Sequence, residues 1–152
     1  MPDTQVPLIV ETLCEALETM AFISVMPAEP PDTPPAELRR VSIQFTKPEP
    51  GSIELLAPAA FGQMLAANLL GTDPADPIAA AGADDAVREL VNVACGSLLH
   101  KHGGASAEPL LMSVPQVRAA GPEEWQPFIA SAGAHLLDGD GIPFAVRLIG
   151  IE

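Results

Sequence analysis

A chain of 152 residues with 48% hydrophobic side chains can bury a sizeable core as one domain without metal or disulfide staples, and a charged fraction of 18% excludes a disordered acidic tail. Twenty Asp and Glu against seven scattered Lys and Arg give a net charge of −13, which repels phosphate backbones and anionic lipid and argues against nucleic acid and membrane surfaces as partners. Met1 to Pro7 carries an acid and no basic stretch, and no apolar run approaches the roughly 18 residues of a membrane span, so the expected location is the cytoplasm.

Leu8, Leu13, Leu17, Met20 and Phe22 mark a first amphipathic helix, over Leu8 to Met20, that supplies core. Pro27 to Pro35 cannot continue a helix and reads as an exposed connector. Val41, Ile43 and Phe45 alternate with Ser42 and Gln44, KPEPGS turns the chain, and Ile53 and Leu55 alternate with Glu54, the pattern of a hairpin. Ala60 to Leu70 is a second helix stopped at Gly71. TDPADPIAAAGA reads as a second linker, after which Asp84 and Asp85 supply the cap and negative charge of a third helix. That helix runs to Gly103 and closes on His100, Lys101 and His102, then Gly103 and Gly104. Leu110 to Val117, Phe128 to Leu137 and Pro143 to Ile151 are the expected strands that follow, the last two joined through DGDG.

The order is therefore helix, two strands, helix, helix, three strands: a long helix and a meander, twice, with negligible identity between the halves. The expected fold is α+β, with two pseudo-repeated helix-plus-antiparallel-strand halves whose long helices pack on one sheet, in a single domain spanning 1–152.

On the third helix Val87, Leu90, Val91, Ala94 and Leu98 recur at helical spacing and centre on one direction, the core face. Asp85, Glu89, Asn92 and Gly96 fall on the opposite face, so a carboxylate and a carboxamide stand side by side toward solvent beside a glycine. This is a docking surface, written D-x3-E-x2-N and followed by Pro115 at the end of the next apolar strand. Asp85 suits a helix cap or first-turn acid, the favoured role, as well as a partner contact. Gly96 fits close approach of a partner and helix-packing tolerance equally. Pro115 reads as a shape element that ends or bulges an edge strand.

Cys14 and Cys95 sit in separate predicted helices and read as two reduced, small apolar side chains. His100 and His102 stand near Cys95 but diverge by about 200° on a helix. With no acidic ligand at suitable spacing they read as charges that complement the helix C-terminus, and no metal is expected. His135 lies on a predicted strand without a triad partner, and neither a serine-nucleophile nor a phosphate-loop motif is present.

The run DAVRELVN, continued as ACGSLLHKHGGASAEPLLMSVP, closely resembles the signature of the CheC, CheX and FliY chemotaxis phosphatase family. That signature is an acidic residue or serine, a glutamate, an asparagine and a downstream proline at this spacing, carried on a long outward-facing helix packed on a sheet of two related halves. The resemblance covers most of the chain, from the Glu11 helix onward, and is motif-specific from Asp85 to Pro115. The first helix, ETLCEALETM, has no asparagine, so the single-site pattern is more similar to CheX.

The resemblance implies a phosphatase acting on the phosphorylated aspartate of a CheY-like response regulator, with no cofactor of its own and Mg2+ supplied by the receiver. It implies catalytic roles for Asn92, which would orient an in-line water, and Glu89, which would pair with a receiver lysine, with Gly96 and Asp85 on the same partner-binding face. An acyl phosphate is already reactive, so positioning water suffices, and a carboxamide can both donate and accept a hydrogen bond to it. The alternatives are a non-catalytic receiver-binding scaffold and an assembly module related to the flagellar switch. Strands as apolar as VSIQF and PFAVRLIGIE leave an apolar sheet edge unless something pairs with it, and CheX-like domains pair through their sheets, so a homodimer is expected.

Overall fold

The computed structural model describes residues 6–47, 49–103 and 111–151; Met1 to Gln5, Pro48, Gly104 and Leu110, read above within a leader test, a turn, a helix end and a strand, lie outside the described residues. Helix α1 (Leu8–Ala21) buries Ile9, Leu13, Ala16 and Leu17, the spacing that its apolar stripe demands. It ends in a left-handed residue, Phe22 at φ 55°, whose N–H donates to the Glu18 carbonyl while Ile23 N–H donates to that of Leu17. A short strand β1 (Val25–Pro27) precedes the proline-rich connector and was not apparent from periodicity. Strands β2 (Leu38–Lys47) and β3 (Gly51–Pro58) form the expected hairpin, with Val41 opposite Leu55 and Ile43 opposite Ile53. Helix α2 (Ala59–Leu70) stops at Gly71, φ 72°.

Helix α3 begins earlier than expected, spanning Pro77–Gly103. Its first turn is capped by Asp76, whose Oδ1 accepts the Ile78 N–H at 3.0 Å, with Pro77 at the first helical position where a missing N–H costs nothing. The stretch taken as a linker thus ends at Asp76, and Asp84 and Asp85 lie within the helix. The third expected strand is two pieces, β4 (Leu111–Met112) and β5 (Gln116–Ala120). Phe128 to Leu137 is not one strand. Pro122 opens a 3-10 turn that leads into a short helix α4 (Trp125–Ile129), and β6 (Ala134–Gly139) starts only after it. Pro122 with Glu123 and Glu124 is a helix-start signal, and Trp125 and Phe128 at i and i+3 then share a helical face where alternation would separate them. Asp140 and Gly141, both at positive φ, join β6 to β7 (Ile142–Ile149) in the two-residue turn that suits a twisted hairpin.

The described strands form one antiparallel sheet in the order β1, β6, β7, β3, β2, with β4 and β5 end to end along the outer side of β2. Exchanging β1 with β5, β2 with β6 and β3 with β7 reverses this order onto itself, which is the expected half-repeat. The helices repeat too: the buried Ile9, Thr12, Leu13, Ala16, Leu17 and Ala21 of α1 match in spacing Ala83, Ala86, Val87, Leu90, Val91 and Cys95 of α3. VSIQF and PFAVRLIGIE, expected at an edge, are both interior strands; the edges are β1 on one side and β4 with β5 on the other. The most apolar strands take the centre because only there are both neighbours and a helix layer available to cover them.

Alternation along the strands divides two cores. Val41, Ile43, Ile53, Leu55, Phe144 and Val146 face α1, α2 and α3, with the Phe61 and Phe144 rings 4.5 Å apart. Leu38, Leu56 and Ala145 face the other way, under Trp125 and Phe128 of α4. Gly62 lets α2 approach α3, since a Cβ there would come within 3.2 Å of the Ala83 Cβ. All five apolar residues expected to form the core face of α3 are buried. That burial turns the opposite face outward along the whole helix.

Candidate functional site

On the outward face of α3, Asp85 and Glu89 are exposed, and Asn92 and Gly96 are half-buried. The four side chains share one stripe, as their spacing requires. Asp85 accepts a hydrogen bond from Arg88 Nη1 at 2.7 Å, and the neighbouring Asp84 lies 3.6 Å from Arg39 Nε. Neither caps the helix, because eight residues of helix precede Asp85; the structural role favoured for Asp85 is overturned by the upstream cap at Asp76. Glu89 has no ion-pair partner, and the Asn92 amide no hydrogen-bond partner, among the described residues. Val93, 36% exposed, lies beside them.

At Gly96 an added Cβ would meet no described atom within 4 Å, in contrast to Gly62, so packing among the described residues does not call for this glycine. Pro115 sits where the edge strand bulges. Met112 pairs with Phe45 and Gln116 with Ser42, so three residues, Ser113 to Pro115, stand against two, Ile43 and Gln44. Ser113 fills the gap: its Oγ accepts the Gln44 N–H at 2.9 Å and its own N–H donates to the Gln44 carbonyl at 2.7 Å. A proline with no N–H to offer fits such an edge position, as expected.

The repeat sets a second face beside the first. In the register that matches the buried residues of α1 and α3, Glu11, Glu15, Glu18 and Phe22 fall where Asp85, Glu89, Asn92 and Gly96 stand. That face has a carboxylate in place of the carboxamide and an 85% exposed phenyl ring in place of the glycine. Only the α3 face carries the amide-and-glycine pattern.

Neither Glu89 nor Asn92 lines a described cavity. A cavity of about 480 Å³ lies between the start of α1 and strands β6 and β7, against Leu8, His135, Leu148 and Ile151. Another, of about 130 Å³, borders α3 and is lined by Arg39, Gln63, Ala83, Asp84 and Val87.

The remaining candidates are placed elsewhere. Cys14 is half-buried and Cys95 buried, both free thiols, with burial pushing Cys95 up to about 11. His102 Nε2 lies 2.8 Å from Glu49 Oε1 in the turn after β2, and Lys101 Nζ 2.6 Å from Glu15 Oε2, so the basic end of α3 is used in contacts to other elements. Sequence reasoning missed a charged network on the sheet face beside α4. Arg40 bridges Glu54 and Glu124, Arg147 also pairs with Glu54, Arg118 with Glu124, and Arg40 and Arg147 each lie 5.2 Å from the centre of the Phe128 ring. Burial works to raise Glu54, and hydrogen bonds from Arg147 and Arg40 outweigh it to hold the carboxyl below its usual range. Arg118, then Arg40, hold Glu124 down to about 2. Strand alternation places Arg40, Glu54 and Arg147 on one sheet face, but their pairing across three strands depends on a strand order that no local pattern shows.

The family model described as "Chemotaxis phosphatase CheX" matches residues 40–127, more than half of the chain. No curated protein sequence matches it. Among solved structures, a chemotaxis protein CheX from Desulfovibrio desulfuricans is similar with a TM-score of 0.65 at 19% identity, over 94% of this chain and 97% of that one. The chemotaxis protein CheX from Vibrio vulnificus gives 0.64 at 16%, over 95% and 97%. The CheX of a CheX–CheY–BeF3–Mg2+ complex from Borrelia burgdorferi gives 0.61 at 15%, over 93% and 94%.

Proposed function

The chain belongs to the chemotaxis phosphatase CheX family, and on that basis we propose that it hydrolyses the aspartyl phosphate of a CheY-like response regulator, with Asn92 holding the attacking water in line. The observation that carries this reading is the Asn92 amide on an outward helical face, without a hydrogen-bond partner among the described residues, one turn from a Glu89 that has no ion-pair partner among them and one turn from a glycine at which an added Cβ would meet no described atom within 4 Å. The amide oxygen accepts a hydrogen bond from the water and the amide NH2 donates to a neighbouring oxygen, so the group fixes the water without adding a competing charge. The water oxygen forms the new bond to phosphorus as the bond to the aspartyl oxygen breaks, and the proton that the water sheds goes to the phosphate product and on to solvent. A carboxylate leaves without needing a proton, so no general acid is called for.

Glu89 pairs with a lysine of the receiver and sets the docking position, and Gly96 admits its backbone closely. The Mg2+ belongs to the receiver, and this chain brings none. The setting proposed is the cytoplasm, in keeping with the absence of any described helix long and apolar enough to cross a membrane. The open edge at β5 supports pairing of two copies into a homodimer.

The test is single-turnover decay of the phosphorylated receiver over a range of protein concentrations. Asn92→Ala leaves the fold and receiver affinity near wild type but lowers the saturating rate on the order of a hundredfold, about 2.7 kcal/mol of barrier. Glu89→Ala weakens docking by roughly 1.5 to 3 kcal/mol, with a smaller effect at saturation. Near wild-type decay with saturating Asn92→Ala removes the catalytic assignment. A wild-type chain that binds the receiver without speeding decay is a scaffold.

A further inference from the structure

The outward stripe of α3 carries two carboxylates one turn apart, Asp85 and Glu89, and the structure treats them differently. Asp85 is held by Arg88 at 2.7 Å, and Glu89 has no ion-pair partner among the described residues. The Asp85 and Arg88 side chains are 84% and 39% exposed, and a pair so open to solvent adds little to stability. Its larger effect is on the charge pattern that a partner meets. The four-residue step from Asp85 to Glu89 spans about 6 Å along the axis. Were Asp85 free, a cation on the receiver would meet two similar carboxylates, and pairing with the wrong one would slide the Asn92 amide about 6 Å from the phosphoryl group, where misplacement by about 1 Å is already costly.

We propose that Arg88 is a positioning residue that sets the docking register: by occupying Asp85 it leaves Glu89 as the free carboxylate of the stripe and admits one position of the receiver. The inference rests on the receiver-docking reading and adds to it the means by which a strongly acidic chain avoids docking out of register.

The test uses the full chain and the CheY of the source organism, phosphorylated with acetyl phosphate for turnover and loaded with beryllofluoride and Mg2+ for equilibrium binding. Arg88→Met opens a non-productive register, so kcat and KM fall together by about twofold or more while kcat/KM holds. Arg88→Lys keeps the ion pair, and Arg88→Met with Asp85→Asn removes the competing carboxylate; both return the two constants to wild type. In binding, Glu89→Gln costs about threefold less affinity in the Arg88→Met background than in the wild type, because Asp85 takes over the cation. A loss of kcat that persists in the double variant, or equal Glu89→Gln losses in both backgrounds, overturns the register role. The binding arm needs no turnover. A chain that shows this coupling but does not hydrolyse refutes the phosphatase reading alone, and hydrolysis without the coupling refutes the register role alone.

Discussion

Gly96 sits inside a helix, where glycine costs about 1 kcal/mol against alanine, at a point where a methyl group would come within 4 Å of no described atom. Gly96→Ala is therefore expected to raise stability by about 0.5–1 kcal/mol in denaturant titrations while weakening receiver binding. A stabilised variant that binds as tightly as wild type would show that no partner comes close there. Phe22 presents the reverse case: a bulky side chain at φ 55°, 85% exposed, in a position that glycine usually fills. The strain of that conformation is about 1–2 kcal/mol, and little buried surface offsets it. Phe22→Gly should stabilise the fold by about 1 kcal/mol net of the added chain entropy, and a drop in melting temperature would reveal packing that outweighs the strain. At this scale the sequence was informative where helical phase alone decides, as for Glu89 and Asn92, and silent where a neighbour decides, as for the Arg88 contact.

Among the elements, α3 was misread at its start because two plausible caps lie eight residues apart, and the Asp85 region carries the denser charge. Asp76 followed by Pro77 was the overlooked signal, strengthened by the alanines after it. Asp76→Ala should cost about 1 kcal/mol in chemical denaturation, and Asp85→Ala no more than about 0.5 kcal/mol, since one removes a cap and the other an exposed mid-helix pair. Equal costs would restore Asp85 as a structural residue. The segment from Pro122 to Gly139 failed for a different reason. Trp125 and Phe128 are as apolar as strand residues, and their helical conformation follows from the patch on the sheet, Leu38, Leu56 and Ala145, that they cover.

For the whole molecule, acid is the informative perturbation. The carboxyls of Glu54 and Glu124 lie below the unfolded value of 4.5, so the stability they contribute is fully present above about pH 4.5 and is lost as pH falls through their folded values, near 2 for Glu124. Relief of self-repulsion in a chain of net charge −13 works in the opposite direction at milder acidity. Thermal melts should accordingly hold or rise slightly from pH 7 toward pH 5 and fall steeply below about pH 4, and Glu124→Gln should flatten that fall. An unaltered acid limb in Glu124→Gln would remove the network from the account. Sedimentation at micromolar concentration tests the homodimer, and a single species near 15.8 kDa would exclude it.

Helical phase, hairpin alternation and turn chemistry are properties of a few consecutive residues, and from them the sequence alone determined α1, α2, the β2–β3 and β6–β7 hairpins, the bulged edge at Pro115 and the outward stripe of Asp85, Glu89, Asn92 and Gly96. Which strands lie at the edge, which charges meet across the sheet, which glycine is crowded and which is open are settled by contacts between residues far apart in the chain. Those contacts depend on the order in which the two halves interleave around β7 and β3. No local pattern encodes that order, because it is chosen by the joint burial of all the apolar faces at once.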